Sequence, residues 1–335
     1  MTLLRLREDE LVDRLRSIVE DTTHAAIRIG IGDDAAVWQP SRSHRSVVTT
    51  DALVEGVHFT RKTMSLEDVG WRTAAANLSD LAAMGARPVL AIIALGVPPD
   101  TDAEQLLALY RGIAACSQPA GLAVVGGDLV RAPALTIAMT AIGEVRASNV
   151  KTRAGGRRGN ILAVTGPLGA SRAGLDLARG AVVLKEESLR EEALRAHRRP
   201  QARVREGRRL AASANVRAMM DCSDGLSTDL ARLCKASGVG ARVEEVPVAG
   251  SAVAVAQALG EDARAYALAG GEDFELIVAI EARAFAHVAA RFAAHFGRPL
   301  YRVGVLRSEP GVFLVDDGAE RPLPPTGWDH FSNAL

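Results

Sequence analysis

The stretch LEDVGWRTAAANLSDLAAMGARPVLAIIALGVP, residues 66–98, decides the fold class. From Leu66 to Met84 the residues Val69, Ala75, Leu78, Leu81 and Ala82 recur at helical spacing and form one apolar face. Gly85 stands where a helix C-cap belongs. Pro88 to Pro98 is then a continuous apolar run closed by prolines, the pattern of a buried strand. A helix followed directly by a strand sets an alternation that the flanking sequence continues.

Upstream, Ser46 to Thr50 reads as a β-strand ending at Asp51, and residues 8–20 place Leu11, Leu15 and Ile18 on one face of a short amphipathic helix. Downstream, Thr101 to Cys116 reads as a helix opened by the polar pair Thr101 and Asp102. LAVVGGDLV (122–130) and LTIAMTAIGEV (135–145) follow as two strands. KTRAGGRRGN (151–160), rich in Gly and Arg, then interrupts the pattern before a new strand, ILAVTG, begins at Ile161. At 335 residues the chain suits two domains, and this interruption sets their expected extents at 1–150 and 151–335. In the second half, the charged segment Lys185–Arg209 reads as a solvated helix broken at Pro200. A strand ending in DCSDG, a helix over Leu226–Ser237, ALAGGEDFELIVAI and a closing YRVGVL strand complete it. Helices and strands alternate in both halves, so the class is α/β or α+β with mixed sheets.

Composition narrows the partners. Forty basic and forty acidic side chains cancel, which gives no net field for nucleic acid or an anionic membrane. An apolar fraction of 48% against 24% charged is that of a globular chain. The cysteines Cys116, Cys222 and Cys234 form no C-x-x-C pair, which excludes a disulfide scaffold and a Cys-rich zinc site. The N-terminal residues Arg5, Arg7, Glu8, Asp9 and Glu10 leave no room for a signal-peptide apolar core, and no long apolar span suggests a transmembrane helix. A cytoplasmic location is expected.

The chemistry lies in acidic turns. No G-x-x-x-x-G-K-[ST] loop occurs, which argues against a P-loop NTPase. GIGDDA, residues 30–35, formally matches a dinucleotide fingerprint, but Asp33 and Asp34 would put two negative charges where a pyrophosphate must meet bare amides. Carboxylates in a Gly turn make sense if a hard cation lies between them and a phosphate. Asp34, Asp51 at the end of the VVTTD strand, Asp80 in NLSDL, Asp128 after Gly126–Gly127, Asp221 and Asp224 in DCSDG, and Glu272 and Asp273 in GGEDFEL repeat this theme. One such residue is most simply a cap or an Asx-turn. So many in one chain point to Mg²⁺ and phosphates. Ser223 lacks the nucleophile-elbow pattern and suits donation to a phosphate oxygen. His58 in EGVHF reads as a base, a substrate contact or a satisfied loop histidine.

GIGDDAAV, TTDALVEGVHF, NLSDLAAMGARP, GGDLVRAP, KTRAGGRRGN, DCSDGLSTDLARL, AGGEDFEL and GWDHF resemble, in order and spacing, the thiamine-monophosphate kinases. That family belongs with the aminoimidazole-ribonucleotide synthetase superfamily, whose members bind ATP without a P-loop. The resemblance runs from about Gly30 to Phe331. GGD and SDG point only to the superfamily; NLSDLAAMGA, TDALVEGVHF and GWDHF are more specific. The resemblance implies a two-domain synthetase-like fold whose N-terminal domain forms the core of a homodimer. It implies several Mg²⁺ ions on Asp34, Thr49, Thr50, Asp51, Asp80, Asp128, Asp221 and Asp224. ATP contacts would come from Tyr110, Gly127, Asp128, Arg153 and Ser223, and substrate contacts from His58, Glu272 and Trp328. The family has a Leu or Ile more often than Cys222 inside D-x-S-D, a side chain expected to face the core.

The implied activity is transfer of the ATP γ-phosphoryl group to thiamine monophosphate, giving thiamine diphosphate and ADP. An ionised monoester oxygen attacks in line without a strong base, so no general base and no covalent nucleophile is assigned. Two rivals stand beside it: another enzyme of the superfamily, and a non-catalytic nucleotide-binding protein on the same scaffold. Selenophosphate synthetase would be expected to carry a reactive residue near its N-terminus, where this chain has no Cys, and the non-catalytic protein would have an eroded acidic cluster.

Overall fold

The computed structural model describes residues 8–19, 26–31 and 35–328. The chain divides into two compact units, Met1–Leu81 with Ala86–Ala147, and Ala82–Gly85 with Ser148–Leu335.

The first unit contains α1 (Glu8–Val19), β1 (Ile27–Ile29), β2 (Val37–Trp38), β3 (His44–Val54), most of α2 (Leu66–Ala83), β4 (Arg87–Val97), α3 (Ala103–Ser117), β5 (Ala123–Arg131) and β6 (Thr136–Arg146). Its four-stranded sheet has the order β3-β6-β4-β5, antiparallel except for the parallel pair β4–β5. The apolar face of α2 is buried as its spacing requires: Val69, Ala75, Leu81 and Ala82 are fully covered and Leu78 nearly so. Gly70 and Gly112 bring α2 and α3 backbone to backbone, since a Cβ on either would fall 1.9 or 1.8 Å from a carbonyl oxygen of the other helix.

The strand after α2 departs from expectation. Ala91, Ile93 and Leu95 are buried, but Ile92 is 45% exposed, with Val48 at 63% and Val130 at 53%. The apolar run predicts burial on both faces. The face away from α2 is covered only at one end, where Leu90 and Ile142 pack with Ile27 and Trp38, and beyond it Val48, Ile92 and Val130 stay in the open.

The second unit contains β7 (Ile161–Val164), α4 (Ala170–Ala178), α5 (Glu187–Arg198), α6 (Val204–Ala211), β8 (Val216–Cys222), α7 (Leu226–Ser237), β9 (Gly240–Val243), α8 (Gly250–Leu259), α9 (Ala263–Ala269), β10 (Glu275–Ile280), α10 (Ala282–Phe296), β11 (Tyr301–Arg307), β12 (Val312–Asp316) and β13 (Ala319–Pro322). Its sheet order is β13-β12-β9-β11-β7-β10-β8, with β9–β12 parallel and the other pairs antiparallel. Both sheets are therefore mixed, as the sequence implies.

All six residues of β10 are buried. Leu162, Val164, Met220, Ile277 and the α7 residues Leu226, Leu230 and Leu233 share one core with Cys222 and Cys234. Cys222 faces that core, as expected. The charged segment breaks near Pro200 into α5 and α6 but is not simply solvated. Ala193, His197, Val204 and Leu210 are buried. Arg203 reaches the buried Glu275, donating from Nε at 2.9 Å. Period-3.6 burial and an ion pair thus use a stretch whose charge density alone suggests solvent.

Candidate functional site

In the first unit the candidate residues follow the strand period. Thr49, Asp51 and Leu53 share one face of β3, and Val48, Thr50 and Ala52 the other. Leu53 is 5% exposed and Val48 63%. Asp80, in the last turn of α2, accepts a hydrogen bond from the Thr49 hydroxyl. Thr49, Asp51 and Asp80 therefore collect on the helix-covered side as hydroxyl and carboxylate oxygens. The Thr50 hydroxyl donates to the Met139 carbonyl at 3.1 Å and accepts from Thr140 at 3.1 Å. Its side chain thus lies on the open face, away from Thr49 and Asp51. Strand alternation forces this: adjacent residues cannot present side chains to one face.

Asp128 also belongs to the open face. Registers across the sheet pair Ala52 with Ala138, Ala138 with Ala94, and Ala94 with Asp128. Asp51 and Asp128 therefore stand on opposite edges and opposite faces, three strand spacings or roughly 14 Å apart. Gly127 pairs with Ile93 beside it. Tyr110 is buried on α3 at 7% exposure, and burial pushes its hydroxyl up to about 12. At the end of β3 the Val54 amide donates to His58 Nδ1 at 3.0 Å. In the neutral ring this places the proton on Nε2. Asp34 lies outside the described residues.

In the second unit two loops leave the same end of the sheet, because Cys222 at the end of β8 is the register partner of Glu275 at the start of β10. The DCSDG and GGEDF loops are laced together. Glu272 N–H donates to the Ser223 carbonyl at 2.6 Å and Phe274 N–H to the Cys222 carbonyl at 2.9 Å. Glu272 and Phe274 take positive φ values, 63° and 51°. The C-terminal segment joins them: Trp328 N–H donates to the Asp224 carbonyl at 3.0 Å, and Gly327 N–H to Thr228 Oγ1 at 2.9 Å. Only a glycine permits that approach, since a Cβ at position 327 would meet the Asp224 carbonyl oxygen at 1.7 Å. Ser223, Asp224, Glu272 and Trp328, from three distant segments, are thereby brought together. Asp221 is 3% exposed on β8, and the Trp328 side chain is 45% exposed.

Arg153 is placed elsewhere in this unit. Its carbonyl accepts from Ser237 Oγ at the C-terminal end of α7, whereas Ser223 and Asp224 precede the N-terminal end. A helix of this length separates the two by about 18 Å.

Three carboxylates shape these loops: Asp273, which the sequence placed among the acidic turns, and Asp229 and Glu275, which it did not single out. Asp229, with its side chain fully buried, accepts from Ser223 N–H at 3.0 Å and Asp224 N–H at 2.9 Å through one oxygen. Its other oxygen accepts from Arg232 at 2.9 Å, and Arg232 also pairs with the Asp224 carboxylate. Burial raises Asp229 to about 6 against the pull of those amides. Asp273 accepts from Gly169 N–H at 2.7 Å and Ser171 N–H at 3.3 Å, at the first turn of α4. Burial raises it to about 7. Glu275 is bound by Arg203 and by the Thr165 hydroxyl at 2.6 Å. An Asp in the first turn of α7 was the one available sequence signal, for Asp229. The partners of Asp273 and Glu275 lie 72 to 110 residues away, beyond any local pattern.

Among the described residues, no three His, Cys, Asp or Glu side chains stand together as a metal site. The donor chemistry nevertheless fits a hard cation. Thr49, Asp51 and Asp80 supply oxygen only, and Asp224 already holds a cationic partner in Arg232. No helix among the described residues is long and apolar enough to cross a membrane.

Comparison with known proteins places the chain among relatives. The family described as AIR synthase related protein matches through its N-terminal domain at residues 32–145 and its C-terminal domain at 157–317. The thiamine-monophosphate kinase of Synechococcus elongatus is 36% identical over 307 residues, covering 90% of this chain and 91% of its own. The crystal structure of thiamine-monophosphate kinase from Stenotrophomonas maltophilia superposes with a TM-score of 0.81 at 34% identity, over 95% of this chain and 99% of that one. AaThiL complexed with AMPPCP and TMP superposes with a TM-score of 0.77 at 30% identity, over 99% of each chain.

Proposed function

We propose, from the premise that this chain belongs to the thiamine-monophosphate kinase family of AIR synthase related proteins, that it transfers the γ-phosphoryl group of ATP to thiamine monophosphate, releasing ADP and thiamine diphosphate. The observation that carries this reading is the convergence of Ser223, Asp224, Glu272 and Trp328 through backbone hydrogen bonds between three segments. It draws the backbones of residues carrying a hydroxyl, two carboxylates and a half-exposed indole together, side-chain types suited to a phosphate, its counter-ions and a flat cationic heterocycle.

The residues divide the work by chemistry. Thr49, Asp51, Asp80, Asp221 and Asp224 are the groups that would hold Mg²⁺, with Asp34 and Asp128 as further carboxylates. When bound, the ions neutralise the repulsion between ATP and a phosphate monoester and align the two. The Ser223 hydroxyl donates to a phosphate oxygen; of the other residues assigned to ATP, Arg153 stands about 18 Å away along α7 and Tyr110 is buried, so neither carries this reading. The Trp328 ring stacks on the thiazolium or pyrimidine of the substrate by dispersion and cation–π attraction. His58, with Nδ1 engaged by Val54, acts through Nε2 as a donor to substrate rather than as a base. No base is needed, because the attacking monoester oxygen is ionised at neutral pH.

The working form is a cytoplasmic homodimer. The open apolar face bearing Val48, Ile92 and Val130 is suited to a second copy of the chain. Light scattering of the purified protein tests this directly, and a monomer at working concentration would exclude it.

The deciding assay offers the purified protein ATP and Mg²⁺ with thiamine monophosphate, thiamine and aminoimidazole precursors in parallel. Thiamine diphosphate is expected from the first alone. Equal turnover of free thiamine, or turnover of an aminoimidazole precursor only, would overturn the reading.

A further inference from the structure

The carboxylate of Asp273 has no part in the proposed transfer, yet it sits inside the loop that carries Glu272. Its two neighbours, Glu272 and Phe274, are non-glycine residues at φ 63° and 51°. Such backbone persists only where its surroundings over-determine it. One side of the loop is fixed by the amides of Glu272 and Phe274, which donate to Ser223 and Cys222. The Phe274 side chain adds an anchor, 4% exposed. On the other side the Asp273 carboxylate accepts from Gly169 and Ser171, where the first-turn amides of α4 favour a negative charge.

We infer that Asp273 is a positioning residue: by tying the GGEDF loop to the first turn of α4, it holds Glu272 in the left-handed conformation that sets how its carboxylate meets thiamine monophosphate. The inference rests on the substrate role proposed for Glu272. Asp273 touches no phosphate in this account. Its effect should therefore fall on one substrate and not the other.

Two variants test it. Asp273→Asn keeps one acceptor oxygen and loses the charge. Ser171→Pro leaves Asp273 intact and removes one of its donors, at a first-turn position where proline is tolerated. For Asp273→Asn the KM for thiamine monophosphate should rise about tenfold while that for ATP stays within about twofold. Ser171→Pro should shift the same constant in the same direction by less. A crystal structure of Asp273→Asn should show Glu272 relaxed to negative φ. If Glu272 stays left-handed in that structure, the inference is overturned whatever the kinetics. It is equally overturned if both KM values rise together in step with a fall in Tm, which is the signature of general loosening. A wild-type enzyme that ignores thiamine monophosphate would sink the proposed substrate instead, and the conformation of Glu272 in the variant would still decide the role of Asp273.

Discussion

Thr49 and Asp51 in the first unit, and Ser223 and Glu272 in the second, are held by different means. The first pair sits on β3, whose ladder with β6 runs unbroken from His44 opposite Arg146 to Val54 opposite Thr136. Their direction follows from the pleat, and the Thr49 hydroxyl adds a bond to Asp80 on α2. The second pair lies on loops that hold each other through Glu272–Ser223 and Phe274–Cys222 hydrogen bonds, with Asp229 beneath one loop and Asp273 beneath the other. A ladder confines a substitution to the side chain removed. A laced loop passes it on, because each amide is satisfied by a group from another segment.

The largest effect should come where the ladder carries a carboxylate proposed to hold metal. Asp51→Asn should lower kcat/KM by about a hundredfold or more at limiting Mg²⁺ while far-UV circular dichroism and Tm stay near those of the wild type. Retained turnover at limiting metal would remove Asp51 from the proposed metal set. Asp229→Ala should break the comparison from the other side. It leaves the Ser223 and Asp224 amides without their buried acceptor and costs about 2–4 kcal/mol in urea unfolding. Activity should fall with it, since both loop residues shift. A loss of activity with unchanged stability would show that Asp229 acts at the reaction rather than on the loop.

The third prediction concerns pH. Burial raises Asp273 to about 7, above its ordinary value of 3.8. Between pH 4 and 7 the folded chain then keeps a proton that the unfolded chain has released. The contribution of this group to stability is greatest below pH 4 and is lost as pH rises toward 7, at about 1.4 kcal/mol per unit of separation. The stability difference between wild type and Asp273→Asn should therefore move against the wild type as pH rises through that window. A trend of opposite sign would mean that the Gly169 and Ser171 amides outweigh burial and keep the carboxylate ionised.

Smaller effects sharpen the contrast. Trp328→Ala should raise the KM for thiamine monophosphate about tenfold, the value of a desolvated cation–π contact, with the KM for ATP nearly unchanged. A collapse in Tm, or a joint rise of both constants, would make Trp328 an anchor for the C-terminal segment. Thr50→Val should cost under about 1 kcal/mol and leave the metal dependence of turnover intact, because its hydroxyl bonds on the open face. A large loss of metal affinity would place Thr50 among the ligands after all, acting from a conformation different from this one.

The sequence by itself determined the elements. Helical spacing over Leu66–Met84 and the apolar run from Pro88 correspond to α2 and β4. Local periodicity encodes these features, and burial of the patterned face enforces them. The acidic turns were legible too, as residue types in suggestive places. Even the separation of Thr50 from Thr49 and Asp51 was written in the period of the strand. Tertiary structure alone decided the rest: that β4 keeps an open face, that Asp128 stands at the edge opposite Asp51, and that Arg203 leaves a charged segment for a buried carboxylate. The same holds for the meeting of Ser223, Glu272 and Trp328, and for the tie from Asp273 to Gly169 across 104 residues. Sequence patterns record which face of an element seeks burial. Which distant amide a carboxylate satisfies is settled only when the chain closes and every buried polar group must find its partner.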